Sequence, residues 1–123
     1  FAGVPIPKSL HVCRDVTRIF HRLVELPADI LDHEFAAHPE LLDAVSETDF
    51  TQILGYGCVR SDLNVAETPT EISERIKKGI ACVGENRLVL DPDCGLRHLS
   101  REVAKAKLEN LVKARNMVMD NES

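Results

Sequence analysis

The chain has no cluster of lysines and arginines. Its formal net charge of −5 leaves it without the basic face that displaces counterions from a phosphate backbone. No nucleic-acid partner is expected. Nor does any apolar run approach the ~20 residues needed to cross a bilayer, so no membrane span is expected either. The start, Phe1-Ala2-Gly3-Val4-Pro5-Ile6-Pro7-Lys8, lacks the charged-then-apolar order of a signal peptide, which points to the cytoplasm. A first residue other than Met suggests a processed chain or a piece of a longer one. Also missing are a Gly-rich phosphate loop and a Gly-x-Ser-x-Gly elbow, which argues against nucleotide-dependent and serine-hydrolase chemistry. Without a linker, low-complexity tract or short internal repeat, residues 1–123 read as one continuous unit.

What is present is an ordinary globular balance, with 44% hydrophobic and 28% charged residues. The four cysteines are irregularly spaced in a chain without secretory features, so metal ligation or free thiols are expected over a disulfide framework. Cys58 follows a glycine in a strand and Cys82 falls on the apolar side of a helix; both read as small buried hydrophobes. Cys13 and Cys94 are left for chemistry.

Residues 9–13 read as a short strand, after which Asp15 caps a helix carrying Val16, Ile19, Phe20 and Leu23 at 3–4 spacing until Pro27 stops it. Residues 28–35 contain a second strand centred on Ile30 and Leu31, and a short helix follows at about 38–45. Residues 51–59 give a third strand, in which Gly55 and Gly57 let the backbone approach a neighbouring side chain or a ligand. Thr68-Pro69-Thr70-Glu71 is a capping box that opens a helix over 69–82, with Ile72, Ile76 and Ile80 as its buried stripe and Gly84 as its stop. Residues 87–90 make the fourth strand. Ser100 caps a last helix that turns Val103, Leu108, Leu111, Val112 and Met119 to the core.

Strand and helix alternate four times without a hairpin signal, which predicts an α/β fold of parallel strands joined by right-handed crossovers and covered by helices. Four βα units are half of a (β/α)8 barrel, which takes ~250 residues. The chain is then half of a TIM barrel, a smaller open sheet, or a unit completed by a partner.

In Leu90-Asp91-Pro92-Asp93-Cys94-Gly95-Leu96 a strand runs into a turn and then a helix, placing Cys94 at the carboxyl edge where parallel α/β folds gather their ligands. His11-Val12-Cys13 ends the first strand and Glu34 the second. Two thiols, an imidazole and a carboxylate form a borderline-soft donor set that suits zinc. His11 and Cys13, two apart in a strand, face the same side, and Glu34 and Cys94 can reach the same point from neighbouring strands. The alternative is that His11 hydrogen-bonds within the core, Cys13 and Cys94 are packed thiols, and Glu34 is solvated. His21 falls on a polar helix face; His33 and His38 bracket Glu34 as loop surface or as groups behind the ligands, and His98 reads as surface. Asp91 and Asp93 admit a paired-carboxylate acid/base site if both are buried, against the plainer reading of turn chemistry around Pro92.

Taken in order, His11-Val12-Cys13, Glu34 in Asp32-His33-Glu34-Phe35, Gly57-Cys58-Val59-Arg60-Ser61-Asp62 and Asp91-Pro92-Asp93-Cys94-Gly95-Leu96 resemble the carboxyl-terminal catalytic half of the cobalamin-independent methionine synthase family. The similarity covers nearly the whole chain and is closest to the short core members of archaea and anaerobic bacteria. It implies the last four units of a (β/α)8 barrel, with zinc held by His11, Cys13, Glu34 and Cys94. It further implies methyl transfer to the thiolate of homocysteine, or a similar thiol, held at the zinc, with Glu34 as the catalytic, exchangeable ligand. Folate-using members carry an Asp and a His in the segment matching Gly57 to Asp62, where Arg60 and Asp62 stand here. That implies methylcobalamin or a corrinoid protein as methyl donor. The residues that grip the amino acid end of homocysteine belong to the other half of the family's barrel. A homodimer, or association with that missing half, is expected, because the terminal strands would otherwise expose unpaired edges. The competing reading is a non-catalytic zinc-binding or scaffold half barrel.

Overall fold

A computed structural model describes residues 3–121. In chain order the elements are β1 (Ser9–His11), α1 (Phe20–Leu23), β2 (Ile30–Glu34), α2 (Leu41–Ser46), β3 (Ile53–Val59), α3 (Pro69–Val83), β4 (Leu88–Pro92) and α4 (Arg101–Asn121). The strands form one parallel sheet in the order β1-β2-β3-β4. Register sorts the side chains into rows. Leu10, Leu31, Leu54 and Leu88 lie side by side and meet the helices, whereas His11, Asp32, Gly55 and Val89 form the next row, on the opposite face. One face is therefore an oily bed and the other carries the polar chemistry.

Phe20, Leu31, Leu41, Leu54 and Ile72 are fully buried between sheet and helices, and Phe20 meets Phe50 edge-on with ring centroids 5.3 Å apart. The capping box forms as expected. Thr68 Oγ1 accepts the Glu71 N–H, and the Glu71 carboxylate accepts the Thr68 N–H. At the other end Gly84, at φ 85°, turns the chain out of α3.

Three elements differ from expectation. Only four residues of the first helix form, Phe20–Leu23; Asp15 accepts the Thr17 N–H at 2.9 Å in a local turn before it, and Ile19 is exposed. The fourth strand starts at Leu88, after a 3-10 turn over Glu85–Arg87, and runs on through Asp91, which pairs with Gly57. In α4 the inward stripe is Lys107, Leu111, Ala114 and Val118, while Leu108, Val112 and Met119 face outward. Lys107 has 0% of its surface exposed, and its ammonium donates to Glu67 at 2.6 Å, which lets a charged residue occupy the centre of the stripe. Among the described residues no helix is long and apolar enough to cross a membrane.

Both strand glycines sit against carboxylates. A Cβ on Gly55 would lie 2.7 Å from Asp32 Cβ, and one on Gly57 would lie 2.5 Å from Asp93 Oδ1 and 2.6 Å from the His33 carbonyl oxygen. The close approach expected there is thus to neighbouring side chains. Because backbone hems in Gly57, Gly57→Ala is expected to destabilise the protein by about 1–3 kcal/mol. Urea unfolding checks this against Gly95→Ala, where an added Cβ meets nothing within 4 Å. Equal midpoints for the two variants would contradict it.

Candidate metal centre

The chain leaves β1 at His11 and reverses through Arg14, whose φ of 69° is left-handed and uncommon for a residue with a side chain. The turn leaves Cys13 just beyond the strand end, with its Sγ 3.2 Å from His11 Nε2. The turn after β4 brings in Cys94, whose Sγ lies 3.5 Å from that of Cys13. Ligand atoms of His11, Cys13 and Cys94 all fall within 4.8 Å of one another. Since β1 and β4 are the two outer strands, their meeting over the polar face requires a strongly curved sheet. Glu34 stands outside this trio. Its carboxylate accepts the Arg14 N–H and lines the same open cleft as Cys13, Cys94, Arg60 and Arg97.

The cluster polarises its own sulfurs. Its contacts with His11 and Cys13 hold the Cys94 thiol below its ordinary range, whereas the contact with Cys94 pushes Cys13 up. Burial pulls His11 down, but Cys94 and Asp32 outweigh it and raise the imidazole. Ionisation is thus easier at Cys94 than at Cys13.

Beneath the cluster, Asp32 Oδ2 lies 3.1 Å from His11 Nδ1. Asp91 is pushed up to about 8, first by burial and then by its contact with Asp32. Asp32 Oδ1 and Asp91 Oδ1 are both buried without a hydrogen-bond partner, and the raised Asp91 carboxyl avoids a second buried charge there. Asp93, unlike those two residues, is fully buried and is raised to about 6 by burial although it accepts the Ala36 and Ala37 N–H groups at 3.0 and 2.8 Å. It ties the turn bearing Cys94 to the loop that follows Glu34. The turn reading of Asp91 and Asp93 is thereby corrected: one is a strand residue, the other a clasp between loops. The carboxyl that Asp91 contacts is Asp32 rather than Asp93.

His33 is also corrected. It is 0% exposed, lies on the helix side of β2 and packs edge-on against Phe20, and burial lowers its pKa, so it belongs to the core and not to a loop surface. His21 and His98 are exposed as expected, and His38 lies near the surface, 3.8 Å from Glu40. Cys58 is fully buried, with a thiol pushed up to about 12 by burial, and Cys82 is half-buried with its Sγ 3.7 Å from the Leu42 carbonyl. In the loop after β3, Arg60 holds Asp62 through two bonds of 2.8 and 2.7 Å. Sequence reasoning missed Asp32, although strand alternation two residues before Glu34 places it on the same face.

Fold and site together define an α/β protein that collects soft metal-ligating side chains at the carboxyl edge of a parallel sheet. Residues 2–117 match the family model described as the catalytic domain of cobalamin-independent synthase, and the chain belongs to that family. It is 43% identical over 113 residues to a methionine synthase of Methanothermobacter marburgensis, covering 91% of this chain and 37% of the relative. Against a methionine synthase of Methanothermobacter thermautotrophicus it is 41% identical over 114 residues, covering 92% and 37%. The chain therefore spans well under half the length of these relatives. A B12-independent methionine synthase of Shewanella sp. W3-18-1, solved with selenomethionine, superposes with a TM-score of 0.82 at 19% identity over 98% of this chain and 40% of that one, which shows the shared fold.

Proposed function

We propose that this chain is the zinc-holding part of a methyltransferase that makes methionine by moving a methyl group from a corrinoid donor to the thiol of homocysteine. The observation that carries the reading is the trio of His11, Cys13 and Cys94, with their ligand atoms within 4.8 Å at an open cleft. An imidazole and two sulfurs, one of them already inclined to ionise, are chemically suited to zinc, and we assign Glu34, which lines the same cleft, as the fourth, exchangeable ligand. Zinc held there supplies the positive charge that keeps a substrate thiol deprotonated near neutral pH.

The chain's own residues do the rest. The Arg14 N–H, which already donates to the Glu34 carboxylate, would hold it if a substrate thiol displaced it. Arg60 and Asp62 satisfy each other where folate users carry an Asp and a His, which supports a corrinoid donor. Half of a barrel leaves β1 and β4 as outer strands, with Val89 of β4 exposed, so we expect pairing with the remainder of a (β/α)8 barrel or with a second copy. We place the reaction in the cytoplasm, where free thiols such as Cys13 and Cys94 stay reduced.

The test uses the intact protein. Methionine is expected from homocysteine and methylcobalamin, and zinc absorption spectra should gain a sulfur ligand when homocysteine is added. Spectra unchanged by homocysteine, with no transfer from either donor, would establish the scaffold reading. Transfer from methyltetrahydrofolate at an equal or greater rate would overturn the corrinoid assignment.

A further inference from the structure

A neutral imidazole has one nitrogen that donates and one that accepts, and only the acceptor can bind a metal. His11 has a different neighbour at each. Nδ1 lies 3.1 Å from Asp32 Oδ2, and Nε2 lies 3.2 Å from Cys13 Sγ. We propose that Asp32 is the positioning residue of this centre: by accepting the Nδ1–H of His11 it fixes the tautomer whose Nε2 lone pair faces the two sulfurs. The inference rests on the metal centre proposed above and adds a residue outside its ligand set.

The sheet is built to deliver that contact. His11 and Asp32 are direct register partners on β1 and β2, so both project from the same face at the same height. The next position in the row, on β3, is Gly55, and any Cβ there would come within 2.7 Å of Asp32 Cβ and 2.8 Å of its Oδ1. The absent side chain leaves the space that the Asp32 carboxylate occupies. Asp91 contacts Asp32 from β4, so the carboxylate is held from that side as well as by the imidazole. A carboxylate behind a ligating histidine fixes the ring and raises its basicity, and losing such a partner typically lowers metal affinity about 10–100-fold.

Asp32→Ala and Asp32→Asn are compared with the unaltered intact protein by chelator competition for zinc. The His11 tautomer is read from 15N chemical shifts of the metal-free protein. Zinc affinity is expected to fall about 10–100-fold in Asp32→Ala and less in Asp32→Asn, whose amide oxygen can still accept. Metal-free far-UV CD should be unchanged. The unaltered protein should show His11 protonated at Nδ1. A merely structural role would shift melting without moving the tautomer or the affinity of the folded protein. The proposal is overturned if both variants bind zinc like the parent, or if His11 of the parent carries its proton on Nε2. The tautomer needs neither a variant nor metal, so it decides the matter even if a variant fails to fold. A parent that shows the Nδ1–H tautomer but takes up no zinc would count against the metal centre itself.

Discussion

Replacing either Cys13 or Cys94 by serine is expected to strip the intact protein of nearly all its zinc, from about one equivalent per chain, because thiolate bonds dominate a soft donor set. Glu34→Gln should retain the metal, since a carboxylate that a substrate sulfur displaces must bind weakly. Cys58→Ser and Cys82→Ser should leave the content unchanged. The Cys58 thiol points at the Asp91 carbonyl and that of Cys82 at the Leu42 carbonyl, both away from the cluster. Elemental analysis of the purified variants reads all five. Full zinc in both Cys13→Ser and Cys94→Ser, with loss in Cys58→Ser, would falsify the assignment. The direction with acid follows from the same chemistry. Ligands must be deprotonated to bind, and His11 takes up its proton more readily than an ordinary imidazole, so affinity weakens as pH falls and begins to do so above the usual histidine range.

The second large effect lies away from the metal. Glu67 accepts hydrogen bonds from Lys107 Nζ and Arg75 Nη1, both at 2.6 Å, and from the Arg60 N–H at 2.9 Å. Burial opposes its ionisation, but these donors outweigh it and hold the carboxyl below its ordinary value. Glu67→Ala strands the fully buried Lys107 ammonium and is expected to cost about 3–5 kcal/mol, measured by urea unfolding at neutral pH. Lys107→Met should cost far less, because a chain of similar volume fills the site while Glu67 keeps Arg75. The sign with pH is set by the lowered carboxyl. Its contribution is present above the unfolded value and lost as pH falls through the folded one, so parent and Glu67→Ala should converge in acid. A Glu67→Ala variant within ~0.5 kcal/mol of the parent at neutral pH would show that Glu67 is not the keystone of this network.

Glu67 also shows where the sequence stopped being legible. Its capping neighbour Thr68 announces α3 through local hydrogen-bond chemistry alone, and the helix forms where expected. Hydropathy reads Lys107 as surface, because the carboxylate that permits its burial lies 40 residues away. With Lys107 ranked outside, the inward stripe of α4 is rotated onto Leu108 and Val112. The same limit applies to Asp91 and Asp93. Aspartate beside proline is usual in turns, and only the register with Gly57 and the loop at Ala36 and Ala37 reveals that both are enclosed. The parallel α/β class was readable because four βα repeats without hairpins call for crossovers, whereas the sequential strand order followed only from the family resemblance. The meeting of His11, Cys13 and Cys94 at one sheet edge was readable too, as they end or closely follow strands. That Asp32 sits behind His11 needed the cross-strand register, which single-sequence alternation does not supply.

The contact between Cys13 and Cys94 joins positions 81 residues apart, and that separation sets when the centre can exist during folding. Closing so long a loop is entropically unfavourable, and it is accomplished by pairing β1 with β2, β2 with β3 and β3 with β4. The full donor set of the proposed centre is complete only after those pairings, so a metal ion bound there would favour the finished sheet by mass action. Kinetically, such an ion would act as a lock: its concentration should govern how slowly the chain unfolds and leave the speed of folding nearly untouched.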